Sequence, residues 1–295
     1  MKNYIVYIFI VVTSFVSAQS NVTTYTYAVK GMDTLKMDVY KPKNMKKNDS
    51  LPVMLWMHGG GFFAGGRNYP SEVKLGEIAA ERGYIGVLIS YRLTRKGQAT
   101  GFGCDCPKAD KLATFKSAAI DFLDAAKFIY ENKALLGADV SKIIAGGSSA
   151  GAEGMLNAVY MREYFVDDLK KYNDVKFAGV FSLAGAMVNA DYVTKENALP
   201  SVFFHGTADN IVPFASAAHH MCKPEKKGYI MLDGSATIVD RLLELQMPYY
   251  FYKVIGGKHE LSSIPFDQLK EVFNFFDQTV LKKEIIQTVR INFIK

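Results

Sequence analysis

The sequence predicts an α/β protein, with a mostly parallel central sheet and helices on both of its faces. Three observations lead there. Short apolar runs that read as buried strands alternate with longer stretches of helical periodicity, the pattern of a sheet covered on both sides. Lys142-Ile143-Ile144-Ala145 runs into Gly147-Ser148-Ser149-Ala150-Gly151 and then a helix-compatible segment, Ala152 to Arg162, so that a strand, a sharp turn and a helix follow one another. The other conspicuous motifs, His58-Gly59-Gly60-Gly61, Asp209 and His259, each fall where a strand should end.

Taken in order, the chain opens with a positive residue, Lys2, an apolar run from Tyr4 to Val12, and small residues at Val16-Ser17-Ala18. This predicts a signal peptide over residues 1–18, cut before Gln19. The stretch falls short of the roughly 20 apolar residues that span a bilayer. A secreted or periplasmic protein with no membrane span after cleavage is therefore expected, and residues 19–295 should form one domain, since no linker, repeat or low-complexity block divides them. Thr24 to Ala28 and Leu35 to Tyr40 alternate and are rich in β-branched and aromatic residues, so they read as an antiparallel pair turning at Gly31-Met32-Asp33.

Pro52 to Met57 is a short apolar run ending at the glycine loop, a buried strand. Ser71 to Arg82 is an amphipathic helix stopped at Gly83, and Tyr84 to Ser90 is again a buried strand. Leu112, Phe115, Ala119, Phe122, Ala126 and Ile129 recur at steps of three and four, which predicts a long helix from Asp110 to Asn132. Phe177 to Leu183, Val202 to Phe204 and Tyr249 to Val254 are further strands, the last of them closing the main sheet. Phe266, Leu269, Phe273, Phe276 and Val280 mark a helix over its end, and a weak alternation follows Ile285 without a functional reading.

Composition fits one large globular domain: of 295 residues, 49% are hydrophobic and 22% charged. Thirty-five Lys and Arg against 29 Asp and Glu give a charge of +6, but the lysines are scattered, with no run longer than pairs such as Lys46-Lys47, Lys226-Lys227 and Lys282-Lys283. They read as solvated faces, and no nucleic-acid partner is expected. Export would let disulfides persist. With Cys104, Cys106 and Cys222, at least one thiol stays unpaired within the monomer. A bridge from Cys104 or Cys106 to Cys222 is one outcome, and the connectivity stays open. Cys104-Asp105-Cys106 has no second ligand pair at zinc spacing, and phosphate loops, H-E-x-x-H and calcium loops are missing. Neither a cofactor nor a metal is expected.

Ser149 is the candidate nucleophile. A serine hydroxyl attacks only when a base takes its proton, and glycines two before and two after it permit the tight turn that exposes it. Ser148 is a rival in the shifted frame Gly146-x-Ser148-x-Ala150; the unshifted frame keeps both glycines. His259 is the candidate base: it follows a strand behind Gly256-Gly257 and comes after both the Ser and the Asp. His58 belongs to the glycine loop, His205 reads as a packed core residue, and His219 and His220 read as a short helical stretch on the rim. Asp209, in a loop closed by Pro213, is the candidate acid that orients the base, the alternative being a turn Asp.

These residues resemble the serine esterases of the α/β-hydrolase superfamily, close to carboxylesterases with an HGGG-type motif. The resemblance rests on His58-Gly59-Gly60-Gly61-Phe62, Gly147 to Gly151, His205-Gly206-Thr207-Ala208-Asp209-Asn210-Ile211-Val212-Pro213 and Gly256-Gly257-Lys258-His259, and spans most of the chain after residue 30. It implies the α/β-hydrolase fold and the chain order Ser, Asp, His. It also implies an oxyanion hole from the backbone N–H groups of Gly60, Gly61 and Ala150, each donor worth about 3–4 kcal/mol in the transition state. Phe62 and Tyr91, which with Phe63 follow strand ends, are candidate substrate-binding residues, with core positions as the alternative.

Only residues 184–201 separate two sheet strands at the place where this superfamily often inserts a lid, so little or no cap is expected. An open, shallow site should favour small-molecule esters with short acyl groups and admit a bulky alcohol part such as an acetylated glycan. A peptidase, a polyester-type hydrolase and a catalytically inactive binding protein on the same fold are the other readings.

Overall fold

A computed structural model describes residues 21–294. The expected signal peptide, residues 1–18, lies outside the described residues. Twelve strands occur among them: β1 (Asn21–Lys30), β2 (Asp33–Lys41), β3 (Leu51–Met57), β4 (Ile85–Ile89), β5 (Ala138–Ser148), β6 (Gly179–Leu183), β7 (Ala186–Met187), β8 (Ser201–Gly206), β9 (Ser216–Ala218), β10 (Met231–Gly234), β11 (Tyr249–Ile255) and β12 (Gln287–Phe293). Nine form one sheet in the order β1-β2-β4-β3-β5-β6-β8-β11-β12. β1 pairs antiparallel with β2, β2 pairs antiparallel with β4, and every pairing from β4 onward is parallel.

Strand alternation sends side chains to two separate cores. Val53, Leu55 and Met57 of β3 face one side, where they join Phe115 and Phe122 of helix Lys108–Glu131, Met155 and Leu156 of helix Ala150–Tyr160, and Ile238 and Leu242 of helix Ser235–Glu244. Met54 and Trp56 of the same strand face the other, against Leu75 and Ala79 of helix Pro70–Glu81 and Val272, Phe273 and Phe276 of helix Leu269–Phe276. The predicted mostly parallel sheet with both faces covered is thus what the chain builds.

Tyr249–Ile255 does not close the sheet. β12 adds a parallel edge strand beside it, from Tyr249↔Gln287 to Ile255↔Phe293. Its residues are mostly exposed, so the alternation after Ile285 carries pairing without a buried face, which is why its signal is weak. Two stretches leave the sheet near its C-terminal edge. Residues 184–200 carry β7, and residues 207–248 carry β9, β10 and helix Ser235–Glu244; β7, β10 and β9 make a small antiparallel sheet. Neither stretch forms a helical lid, because the helix turns its apolar residues into the sheet's core. Among the described residues no helix is long and apolar enough to cross a membrane.

Candidate active site

The nucleophile turn is built by close packing. Ser149 sits between the end of β5 and the first turn of helix Ala150–Tyr160 with φ 50° and ψ −124°, a region that side-chain-bearing residues rarely occupy. Two contacts hold it there: its N–H donates to Leu183 O at 2.8 Å, and its carbonyl accepts from Glu153 N at 2.9 Å. A Cβ on Gly151 would lie 2.2 Å from Met57 O and 2.4 Å from His58 O, so only glycine lets the helix start against the end of β3. The turn thereby lifts Ser149 above the sheet, beside the loop that follows β3.

The base and acid come from two neighbouring strand ends. Asp209 follows β8 and His259 follows β11, which pair in parallel from Tyr249↔Ser201 to Val254↔Gly206. Gly206 allows the two loops to meet: a Cβ there would sit 2.2 Å from Gly257 O. The loops are then laced by Thr207 N to Val254 O at 2.9 Å, Ala208 N to Gly257 O at 2.8 Å and Gly256 N to Thr207 Oγ1 at 2.9 Å.

The result is a continuous line of hydrogen bonds. His259 Nδ1 donates to Asp209 Oδ2 at 2.8 Å, and Ser149 Oγ donates to His259 Nε2 at 2.8 Å. Asp209 Oδ1 accepts from Ile211 N at 2.9 Å and Val212 N at 3.1 Å, and Oδ2 lies 3.3 Å from His205 Nε2. Burial pushes the carboxyl pKa up, but the hydrogen bonds from His205 and His259 outweigh it and hold the group well below the usual carboxylate range. Asp209 is therefore an anion at neutral pH, and an anion against Nδ1 keeps the proton there and the Nε2 lone pair toward Ser149. Ser148, the rival serine, points elsewhere: its Oγ donates to Ser262 O at 2.7 Å.

The glycine loop faces this group. Gly60, Gly61 and Ala150 line one cavity with Ser149 and His259, and their N–H groups donate to no acceptor among the described residues. His58 is buried, and its Nδ1 donates to Gly59 O at 2.7 Å. Burial lowers its pKa to about 4, so it is a neutral brace for the loop.

Two expected substrate contacts are not made. Phe62 is fully buried and packs edge-on against Phe102 and Phe115, with ring centroids 4.7 and 5.8 Å apart. Tyr91 is also buried, and its hydroxyl donates to His58 O at 3.0 Å. Both support the glycine loop from behind. A residue directly after the loop turns inward under the positive φ at Phe62, which leaves Phe63, together with Phe102, to line the cleft. His205 is core, as its sequence position suggests, with Nδ1 accepting from Ser235 Oγ at 2.8 Å. His219 is not on the rim: it is 1% exposed and lines the floor of the cleft, where His220 lines it too.

The cleft has a volume of about 440 Å³. Its wall is stapled by a Cys104–Cys222 disulfide joining the segments that carry Gly103 and His220, while Cys106 is a buried free thiol. Glu153 lines the cleft too and was not marked by any motif. Its place four residues after Ser149 on a helix puts it on the same face, which is the one signal in the sequence for it. A larger hollow of about 990 Å³ lies below the opposite ends of the strands, near Tyr130, Lys176 and Met247, and has no histidine or cysteine in its lining. No group of three or more metal-ligating side chains occurs among the described residues.

Residues 13–166 match the Carboxylesterase family. The chain belongs to the carboxylesterase family. Secreted lipase 5 of Gibberella zeae is 31% identical over 135 residues, which are 42% of this chain and 24% of that protein. Carboxylesterase 1C of Mus musculus is 27% identical over 214 residues, 72% of this chain and 35% of its own length. The chain thus spans about a quarter to a third of the length of these two relatives. The fold is similar to that of a thermophilic esterase from Thermogutta terrifontis, with a TM-score of 0.63 at 18% identity, covering 88% of this chain and 92% of that one.

Proposed function

We propose that this chain is a serine carboxylic ester hydrolase working through an acyl-enzyme. The observation that carries the reading is the unbroken line from Asp209 through His259 to Ser149 Oγ, ending in a cleft that three free N–H groups face. Ser149 Oγ attacks the ester carbonyl as His259 Nε2 takes its proton. Gly60, Gly61 and Ala150 N–H receive the negative charge that develops on the carbonyl oxygen. His259 then returns the proton to the leaving alcohol, the acyl-enzyme forms, and water repeats the sequence in the second half. Asp209 stays ionised throughout and stabilises the imidazolium.

The same reading gives the substrate class as short acyl esters. The cleft is small and open to solvent, and a chain of ten carbons would leave most of its methylenes in water, forgoing about 0.8 kcal/mol for each one not buried. The Thermogutta terrifontis esterase has been solved with butyrate and with propionate, which supports short acids here. An exported single domain over residues 19–295, acting on acetylated glycans among other esters, completes the proposal; the Gibberella zeae relative named a secreted lipase supports export.

Hydrolysis of a p-nitrophenyl ester series from acetate to decanoate, beside a peptide amide panel, tests it. Acetate and butyrate should be cleaved fastest and amides not at all. A long-chain optimum would overturn the short-acyl assignment, and cleavage of amides alone would overturn the esterase.

A further inference from the structure

Behind Ser149 the cleft ends on titratable side chains that the ester chemistry does not use. Glu153 lines it and is 1% exposed. His219 Nε2 lies 3.2 Å from Glu153 Oε1, out of line for a hydrogen bond, so among the described residues Oε1 is buried without a hydrogen-bond partner. On the far side of His219, Lys111 Nζ donates to Nδ1 at 3.2 Å and to Gly228 O at 2.8 Å. An ammonium on Nδ1 leaves the imidazole proton on Nε2, facing Glu153. His219 is neutral, since burial drives its pKa well below the usual value, and burial raises that of Glu153 to about 8. His220, held on the cleft by the Cys104–Cys222 staple, adds a further imidazole.

A buried carboxyl oxygen without a partner costs about 1–3 kcal/mol, and more when it is charged. A plain alkyl substrate would keep that cost and cover the oxygen more deeply. A substrate hydroxyl would relieve it, because a hydroxyl donates to a carboxyl oxygen and accepts from an imidazole N–H at the same spot. An ammonium could donate but would meet the Lys111 charge one residue behind.

We propose that Glu153, with His219 set by Lys111, is a specificity-determining residue that recognises a hydroxyl group on the substrate, so that hydroxylated esters are preferred over their plain alkyl counterparts. This rests on the esterase reading of Ser149. It narrows the substrate class from short esters to short esters bearing a hydroxyl within reach of the helix face one turn beyond the nucleophile.

The test is a ratio measured within one protein. The kcat/KM values for p-nitrophenyl 3-hydroxybutyrate and butyrate probe a hydroxyl on the acyl side; those for glyceryl and propyl acetate probe the alcohol side. In the wild-type protein at least one pair should favour the hydroxylated ester by tenfold or more. Glu153→Met should bring that ratio to about one, and Glu153→Gln, which can still donate and accept, should restore part of it. Any general loss of turnover cancels in the ratio, because both esters pass through Ser149. Calorimetric binding of the same esters to Ser149→Ala protein reads the pocket without turnover, and Glu153→Met in that background should remove a tenfold preference. Ratios near one in both pairs, or a preference that survives Glu153→Met, would overturn the proposal. Failure of the esterase reading would show instead as no turnover of any ester with the binding preference intact.

Discussion

Replacing Asp209 with Asn changes one atom, and the surrounding hydrogen bonds decide where the change falls. Asp209 Oδ1 accepts from two backbone N–H groups, Ile211 at 2.9 Å and Val212 at 3.1 Å; Oδ2 accepts from His259 Nδ1 at 2.8 Å and faces His205 Nε2 at 3.3 Å. If the amide NH₂ took the Oδ1 place, two buried backbone donors would lose their acceptor, at about 1–3 kcal/mol each. Backbone donors cannot change their chemistry. Imidazoles can, and His205 Nε2 has another acceptor in Val212 O at 3.2 Å. The NH₂ therefore takes the Oδ2 place and donates to His259 Nδ1. That forces the His259 proton to Nε2, where it blocks acceptance from Ser149 Oγ. The expected result is a kcat fall of about 10⁴, or about 5 kcal/mol of barrier, with the fold retained. Stopped-flow or long-time p-nitrophenyl acetate assays give the rate, and circular dichroism confirms folding. An Asp209→Asn protein keeping more than a tenth of wild-type kcat would refute the tautomer argument.

Ser149→Ala should lower kcat by about 10⁶ while Ser148→Ala, which loses only the bond to Ser262 O, should cost tenfold or less; reversed magnitudes in steady-state assays would mean that the turn is framed wrongly. Cys104→Ser with Cys222→Ser should lower unfolding free energy by about 4–5 kcal/mol, because the bridge closes a loop of 118 residues, and an unchanged urea midpoint would contradict this. His58 has its folded-state pKa lowered to about 4 by burial, so between pH 4 and about 6.5 the unfolded chain binds more protons than the native one. Its contribution is complete above pH 6.5 and is lost as pH falls to 4, by about 3 kcal/mol, and the wild-type curve should be steeper there than that of His58→Gln in urea titrations at stepped pH.

The sheet was legible in the sequence because each parallel strand is buried on both faces and so reads as a short unbroken apolar run, as in Val53 to Met57 or Val202 to Phe204. β12 was not, since an exposed edge strand has no buried face to set its pattern, and β7, β9 and β10 are too short to have one. At the site, the order of Ser149, Asp209 and His259 marked three strand ends, and the structure brings those residues within hydrogen-bond distance of one another. Phe62 and Tyr91 were misplaced because loop residues after a strand can turn either way, and the turn at Phe62 depends on backbone torsions that no periodicity records. His219 was misplaced for a related reason. Its burial depends on Lys111 and Glu153, which are far from it along the chain and meet it only in the folded protein.

The central claim is that Ser149 is the nucleophile of an ester hydrolase, and peptide mapping after treatment with an organophosphate tests it most directly. A phosphoryl adduct forms only on a serine whose hydroxyl is activated by a base and whose oxyanion is received, which is the arrangement around Ser149 Oγ, His259 Nε2 and the glycine loop. Mass spectrometry should find one adduct per chain, on Ser149, formed in step with the loss of p-nitrophenyl acetate hydrolysis. An adduct on Ser148, or full loss of hydrolysis with Ser149 unmodified, would contradict the account.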